Sequence, residues 1–197
     1  RLTNEIGGID IYLLDQILKN RYHVDETIFD AGCGNGRNLK WFYDNSFSLY
    51  GVDSNASRIE AVKNIYPNVS DNFSVQSLDV LSFDGNKFDH VICSAVLHFA
   101  QNTQHFLNMF SEIVRVLKPG GSLFIRMTSL ESIEDFVKPI SNGVYYLPDG
   151  TNRFLLTDSL LDSIMSTYNL KLVEPKKYVN VNNLRCMTTL ILTKNEL

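Results

Sequence analysis

Three glycines alternate with other residues directly after a short apolar run, and this spacing can serve a nucleotide-type ligand. They are Gly32, Gly34 and Gly36, with Cys33 among them and Asp30 just before them. Glycine has no Cβ and tolerates positive φ, so backbone N–H groups in such a loop can approach a ligand closely. A helical pattern follows at once, and helix N-termini favour anionic groups. The sequence therefore predicts a cofactor site in this loop.

The spacing of the loop bears on the choice of cofactor. A dinucleotide-binding loop has the pattern G-x-G-x-x-G. This chain has G-x-G-x-G instead, and Arg37 stands where the third dinucleotide glycine would be. The pattern therefore argues against a pyrophosphate seated on the following helix.

Polar residues that follow later predicted strands extend the site. In an open α/β sheet, ligands bind outside the carboxyl ends of the strands. Asp53 and Ser54 end the second strand, where a carboxylate can accept both hydroxyls of a ribose. Asp79 follows the third strand and can accept from an adenine amino group, while Leu78 and Val80 cover the ring. Ser94 ends the fourth strand, beneath the ligand.

Asp is also a common helix cap and turn former, which gives two of these acids a purely structural alternative. Asp53 could cap the next helix, and Asp79 could serve a turn. From the residues alone, the structural and the ligand-binding interpretations of each acid are equally good.

Strands and helices alternate along the chain, which predicts an α/β fold with a doubly wound, mostly parallel sheet. Two final strand-like runs have no helix between them, which predicts one antiparallel strand. No linker or repeat interrupts the pattern, so we expect one domain over residues 1–197. The predicted strands cover residues 27–31, 47–53, 72–77, 88–93, 123–125, 171–179 and 187–193, and the predicted helices cover residues 9–18, 38–45, 56–65, 103–117 and 157–168.

The composition of the chain limits the classes of partner that it is expected to bind. The chain has 197 residues, 44% hydrophobic and 20% charged, with a formal net charge of −4, and this acidic balance disfavours nucleic acid. No apolar run is long enough to span a bilayer, so we expect no membrane segment. Three widely spaced cysteines predict neither disulfides nor a metal site and favour a reducing, cytoplasmic setting. The chain begins at Arg1 rather than at a methionine, which allows for native residues before it.

Taken together, the motifs resemble those of the class I S-adenosylmethionine-dependent methyltransferases. The resemblance implies a Rossmann-like sheet of seven strands with the last one antiparallel. It also implies that Asp30 and the backbone of the glycine loop hold the methionyl part of S-adenosylmethionine. Within the class, Gly36-Arg37 is similar to small-molecule methyltransferases of the tellurite-resistance and thiopurine types. The matching segments are residues 30–36, 53, 78–80, 88–92 and 117–121.

Methyl transfer from a sulfonium is an in-line displacement whose leaving group is already activated, so the protein mainly aligns the reactants and excludes water. A general base is needed only when the nucleophile keeps its proton until attack. His98, just beyond the fourth strand, is the candidate base. Its structural alternative is a histidine that packs at a helix start. We expect His90 and His105 to sit in sheet and helix contexts, without a role in the chemistry.

The acceptor is expected to lie under two less regular segments, an N-terminal helical lid over residues 1–25 and an insertion over residues 131–154, which contains Tyr146. Arg126, Arg153 and Arg185 are expected to point into one pocket and bind an anionic group, because arginine suits carboxylates. The alternative is three solvated or structural arginines. A small, anionic acceptor is thus the hypothesis.

Two other functions remain open at this stage. One is a catalytically silent module that binds S-adenosylmethionine, and the other is an NAD-type oxidoreductase, which Arg37 disfavours. Residues 94–97 lack the Asn/Asp-Pro-Pro-Tyr/Phe-like segment of methyltransferases that act on nucleic-acid bases. The sequence identifies neither the acceptor atom nor the oligomeric state.

Overall fold

The structure is a computed structural model that describes residues 2–196, and an eight-stranded mixed sheet runs through it. Strand order along this sheet is β10-β11-β5-β4-β1-β2-β3, and β9 pairs with one end of β11. The strands are β1 (Thr27–Ala31), β2 (Ser48–Asp53), β3 (Phe73–Val75), β4 (Phe88–Ser94), β5 (Leu117–Thr128), β6 (Lys138–Ser141), β7 (Val144–Tyr146), β8 (Asn152–Phe154), β9 (Leu170–Leu172), β10 (Lys177–Val181) and β11 (Arg185–Lys194).

The pairing within the sheet confirms the predicted α/β class. Strands β3, β2, β1, β4 and β5 are parallel to their neighbours, whereas β11 runs antiparallel to β5. β10 and β11 form the expected hairpin at the end of the chain. The strand β9 adds one strand to the expected seven. Because β1 lies between β2 and β4, the chain leaves β1 on one side and returns on the other, which opens a crevice at the carboxyl ends.

Helices cover both faces of the sheet. One core cluster includes Phe106, Phe110 and Ile113 of the fifth helix. Another includes Leu13 of the second helix and Phe42 of the third helix. Burial of these side chains fixes the helices against the sheet, because removal of apolar surface from water drives packing. The helices are α1 (Leu2–Ile6), α2 (Ile11–Leu18), α3 (Lys40–Asp44), α4 (Ala56–Ile65), α5 (Thr103–Val116) and α6 (Asp158–Thr167).

The segment over residues 131–154 is more regular than the sequence indicated. It forms a small antiparallel sheet of β6, β7 and β8, although its glycines and prolines predicted irregular structure. The turn between β6 and β7 uses Asn142 and Gly143 with φ of 39° and 88°, conformations that suit these two residue types. The backbone N–H and the hydroxyl of Thr103 both donate to the carbonyl of Asn142, which ties this sheet to the start of α5.

The N-terminal segment contains two short helices rather than one. The expected helix over residues 9–18 begins at Ile11, where the Asp10 side chain caps it by accepting from the Tyr12 backbone N–H at 3.0 Å. Gly7, with φ of 64°, separates α1 from this cap. Within residues 2–196, no helix has the length and apolar character to cross a membrane.

Candidate functional site

A cleft of about 590 Å³ opens where the carboxyl ends of β1, β2 and β4 meet. Its position is the one that the fold predicts for a ligand. Seven of the residues that the sequence singled out are among those lining it. The lining residues are Gly32, Cys33, Gly34, Asn35, Arg37, Asn38, Asp53, Ser54, Arg58, Gln76, Ser77, Leu78, Ser94, Ala95, Val96, Phe99, His105 and Met109.

The glycine loop is held by backbone contacts and by close packing. The N–H groups of Gly32 and Cys33 both donate to the carbonyl of Val52, at 2.9 and 2.8 Å, which folds the loop back over β2. Gly32 has φ of 83°, and a Cβ there would lie 2.5 Å from Cγ2 of Val96. Gly36 does not line the cleft, and its own Cβ would lie 2.6 Å from the ring of Tyr66. The glycines thus allow the loop to approach the segment after β4 on one side and the end of α4 on the other.

Asp30, predicted to hold the cofactor, is not among the residues that line the cleft but lies directly before this loop as a buried acid with an unused oxygen. The residue is 2% exposed, and its Oδ2 has no hydrogen-bond partner among the described residues. Burial raises the pKa of Asp30 to about 7, Arg37 opposes the rise and Asp53 adds to it. A buried polar atom without a partner is costly, so a cationic or N–H group of a ligand would satisfy it.

Asp53 is fixed at the end of β2. Its Oδ2 accepts from the backbone N–H of Gly34 at 3.0 Å, and its Oδ1 accepts from the N–H of Asn55 at 2.9 Å. The cap of α4 is Asn55, whose side chain accepts from the N–H groups of Ser57 and Arg58, so the capping alternative for Asp53 does not apply. Each carboxylate oxygen has a further lone pair for a ligand hydroxyl.

The adenine-side motif is only partly in the cleft. Ser77 and Leu78 line it, whereas Asp79 lies just outside and accepts a hydrogen bond from the Ser77 hydroxyl. Val80 is 74% exposed and does not cover the cleft, in contrast to the prediction. The turn after β3 instead buries Leu78. The opposite wall at this end consists of His105 and Met109, and we had expected His105 to have only a helical context.

At the other end of the cleft, Ser94 and Arg37 meet a residue that the sequence did not reveal. The carboxylate of Asp10 is fully buried and accepts from Nη1 of Arg126 at 2.7 Å and from the Ser94 hydroxyl at 3.3 Å. Nη2 of Arg37 lies 4.0 Å from the same oxygen, and Nη1 of Arg37 donates to the carbonyl of Gly8. The N-terminal segment therefore supports the cleft from behind.

The three predicted substrate arginines have different partners. Arg126 belongs to the Asp10 cluster, and Arg185 forms an ion pair with Asp149 at 2.8 Å. The guanidinium of Arg153 lies 4.8 Å from the ring centroid of Phe99, which is 60% exposed at the mouth of the cleft. Among residues 2–196, Arg153 has no carboxylate within ion-pair distance. Its charge still acts at longer range on Asp149: burial raises the pKa of this acid, but hydrogen bonds from Thr151 and the charges of Arg185 and Arg153 lower it.

Tyr146 and His98 also lie away from the cleft. Tyr146 is half-exposed on β7, opposite Asn152. His98 is buried in the 3-10 turn Leu97–Phe99, which directs Phe99 and not the imidazole to the cleft. Burial, reinforced by Arg153 and Arg185, lowers the pKa of His98 to about 4. The placement favours the packing alternative for His98 over the general base.

Cys33 lines the cleft without the properties of a nucleophile. Burial raises the pKa of its thiol, and nearby Asp30 and Asp53 raise it further. A thiol held neutral in this way acts as a small apolar side chain. Residues 2–196 contain no cluster of three or more His, Cys, Asp or Glu side chains placed to bind a metal ion.

Comparison with known proteins agrees with the cleft. Residues 29–125 match the family model described as a methyltransferase domain. The chain is 27% identical over 148 residues to the ubiquinone biosynthesis O-methyltransferase of Coxiella burnetii, a match that covers 73% of this chain and 60% of that relative. The chain thus spans less than two thirds of the length of such relatives.

Solved structures share the fold at lower identity. An S-adenosylmethionine-dependent methyltransferase from Methanosarcina mazei superposes with a TM-score of 0.74 at 21% identity, covering 92% of this chain and 98% of that one. The 1,6-didemethyltoxoflavin-N1-methyltransferase of Burkholderia thailandensis, solved with its substrate and S-adenosylhomocysteine, gives a TM-score of 0.70 at 14% identity and covers 99% and 81% of the two chains. Together, the domain match, the sheet order and the glycine loop support a class I S-adenosylmethionine-dependent methyltransferase.

Proposed function

We propose that this protein binds S-adenosylmethionine in the cleft and transfers its methyl group to a small acceptor. The observation that carries the proposal is Asp30, a buried carboxyl group next to the glycine loop whose Oδ2 has no hydrogen-bond partner within residues 2–196. An ammonium group is the natural complement of such an acid, because a charge-assisted hydrogen bond offsets the cost of burial. The amino group of the methionyl part provides that complement.

The other polar groups of the cleft fit the remaining parts of the same cofactor. Asp53, already oriented by two backbone N–H groups, can accept from the ribose hydroxyls. Arg37 lines the cleft near Asp30 and can pair with the methionyl carboxylate. Leu78 and Met109 provide apolar walls for the adenine ring. The cleft, with Asp30 beside it, thus offers carboxylates, a guanidinium and apolar side chains, which complement the hydroxyl and ammonium groups, the carboxylate and the adenine ring of the cofactor.

Beyond holding the cofactor, methyl transfer requires the protein only to position the acceptor and to exclude water. S-adenosylmethionine, when bound, supplies a methyl group on a positively charged sulfur, and in-line displacement from it needs no further activation of the leaving group. Ser94, Ala95 and Val96 form the wall next to the glycine loop and would hold the acceptor against that end of the cleft. Phe99 at the mouth would exclude water from the reacting atoms. Because His98 is buried away from the cleft, we propose that the acceptor needs no general base from this residue.

We propose further that the acceptor is small and anionic. The support is Arg153, whose charge has no carboxylate partner among the described residues and which stacks on Phe99 at the mouth. Arg126 and Arg185 already pair with Asp10 and Asp149 and would support this role less. In this proposal the segment over residues 131–154, with its small sheet, and the N-terminal segment over residues 2–25 both cover the acceptor side.

Calorimetry with S-adenosylmethionine, S-adenosylhomocysteine and NAD tests the cofactor. We expect micromolar binding of the first two and none of NAD, whereas binding of NAD alone would indicate an oxidoreductase. A panel of hydroxylated aromatic carboxylates and the matching amides then tests turnover. We expect the compounds that carry a carboxylate to be methylated faster than their amides. A protein that binds the cofactor but methylates no member of a broad panel would be a silent binding module.

A further inference from the structure

His105 lines the end of the cleft that faces Ser77 and Leu78, although its position in a helix gave no hint of this. It lies in the first turn of α5, and Met109 follows four residues later on the same face of the helix. The residue is only partly buried, so its imidazole contributes both surface and a polar edge to the cleft.

A backbone contact just before α5 determines which tautomer the neutral imidazole of His105 adopts. Nδ1 of His105 is paired with the backbone N–H of Gln101 at 3.2 Å, and a backbone N–H can only donate. Nδ1 is therefore the acceptor, and in the neutral ring the proton resides on Nε2. The backbone N–H of His105 in turn donates to the Asn102 side chain at 2.8 Å, which fixes the residue at the cap of α5. His105 thus offers one N–H donor from a well-fixed ring.

The surroundings of this donor describe the ligand that it suits. Leu78 and Met109, both 6% exposed, form apolar walls. Asp79, just outside the cleft, is an acceptor joined to the hydroxyl of Ser77, which lines it. A flat ring with one donor and one acceptor edge suits these groups, and adenine has an exocyclic amino group and unprotonated ring nitrogens.

We propose that Nε2–H of His105 donates a hydrogen bond to a ring nitrogen of the cofactor's adenine and thereby helps to select that base. This inference rests on the proposed function, because it assumes an adenosyl cofactor in the cleft. It assigns His105 a role in specificity, and Asn102 and Gln101 hold it in position.

Two substitutions separate this role from a merely structural one. His105→Asn keeps a side-chain acceptor where Nδ1 meets the Gln101 N–H but removes the group at the position of Nε2. His105→Gln keeps an amide donor near Nε2 and removes the contact with Gln101. We expect His105→Asn to weaken binding of S-adenosylhomocysteine about three- to tenfold, the loss of one hydrogen bond, and His105→Gln to stay within about twofold of wild type. The reverse order, or equal losses, would overturn the proposal.

A ligand series provides the second test. The 1-deaza, 3-deaza and 7-deaza analogues of S-adenosylhomocysteine each replace one ring nitrogen with C–H. If His105 donates to one of them, that analogue binds wild type less tightly, and its deficit disappears in His105→Asn. If every analogue keeps its wild-type deficit in the variant, His105 makes no such bond. Failure of wild type to bind S-adenosylhomocysteine would instead reject the proposed function itself, so the two failures are distinguishable.

Discussion

The cofactor end of the cleft and its acceptor end are constructed differently. At the end proposed for the cofactor, Asp30 and Asp53 lie at the carboxyl ends of the adjacent parallel strands β1 and β2, and backbone N–H groups orient Asp53. At the acceptor end, side chains from distant segments meet in ion pairs, such as Asp10 with Arg126 across 116 positions of sequence. The first arrangement leaves the buried acid Asp30 available to a ligand, whereas in the second the charged side chains form ion pairs with each other. Local motifs therefore reveal the cofactor end, whereas the acceptor end depends on tertiary contacts.

The largest effect that separates the two ends is expected at Asp10. Its fully buried carboxylate pairs with Arg126, whose Nε is buried and has no other partner among residues 2–196. Asp10→Asn keeps a capping side chain for α2 but leaves the guanidinium uncompensated. We expect it to lower the free energy of unfolding by about 3 kcal/mol, measured by urea denaturation.

Asp15→Asn on the same helix is the matched control. Asp15 pairs with Lys19 and Lys177 on the surface, and such exposed pairs contribute little. Equal stability losses in the two variants would contradict the view that the acceptor end is held together by its buried ion pair.

Asp30→Asn should have the opposite signature. It removes the acid that the ammonium of the cofactor would meet, so we expect S-adenosylhomocysteine to bind about 10- to 100-fold more weakly by calorimetry. The folded protein without ligand should become more stable at pH 8, with a midpoint higher by a few degrees, because an unpaired buried carboxylate has been neutralised. A variant that lost stability and kept its affinity would show that Asp30 is structural.

The pKa of Asp30 gives a smaller and separately measurable effect. The folded-state pKa of Asp30 is about 7, above the ordinary value of 3.8, so the folded protein holds this proton more tightly than the unfolded chain. The contribution of Asp30 to stability therefore falls as the pH rises from about 4 through 7. Binding of an ammonium requires the carboxylate, so affinity for S-adenosylhomocysteine should rise about tenfold from pH 6 to pH 8. In Asp30→Asn the rise should be absent, and an unchanged pH profile in that variant would assign it to another group.

What the sequence could predict follows the same division. Hydrophobic periodicity and turn residues sufficed for the sheet, for α5 and for the loop from Gly32 to Gly36, because these depend on neighbours in sequence. The antiparallel sheet over residues 138–154 was missed, since its register depends on packing against α5. His98 lies in a 3-10 turn from which Phe99 lines the cleft, whereas His105 lines the cleft from the first turn of α5. Which side chain of each element faces the cleft depends on tertiary packing, so the sequence did not reveal it. Asp10 was missed altogether, because its contact with Arg126 joins residues 116 positions apart in the sequence.

The smallest predicted effect concerns binding of the acceptor, and it tests most directly whether the two ends of the cleft differ. Arg153 is the charge at this end without a carboxylate partner among the described residues, so Arg153→Gln should weaken a hydroxybenzoate about three- to tenfold in the presence of S-adenosylhomocysteine. It should leave the matching hydroxybenzamide and the cofactor product unaffected. Saturation-transfer NMR on the ternary complex measures both ligands without turnover.

Arg185→Gln is the control for this measurement, because Arg185 is engaged by Asp149 and its loss removes an ion pair rather than a free charge. If both variants weaken the carboxylate equally, the effect comes from the overall field of the segment and not from a contact with Arg153. If neither does, the acceptor end uses all its arginines for its own structure, and the acceptor is recognised by the apolar surface around Phe99 instead. The contrast between the carboxylate and its amide thus decides whether the second half of the cleft, like the first, keeps one charged group free for its ligand.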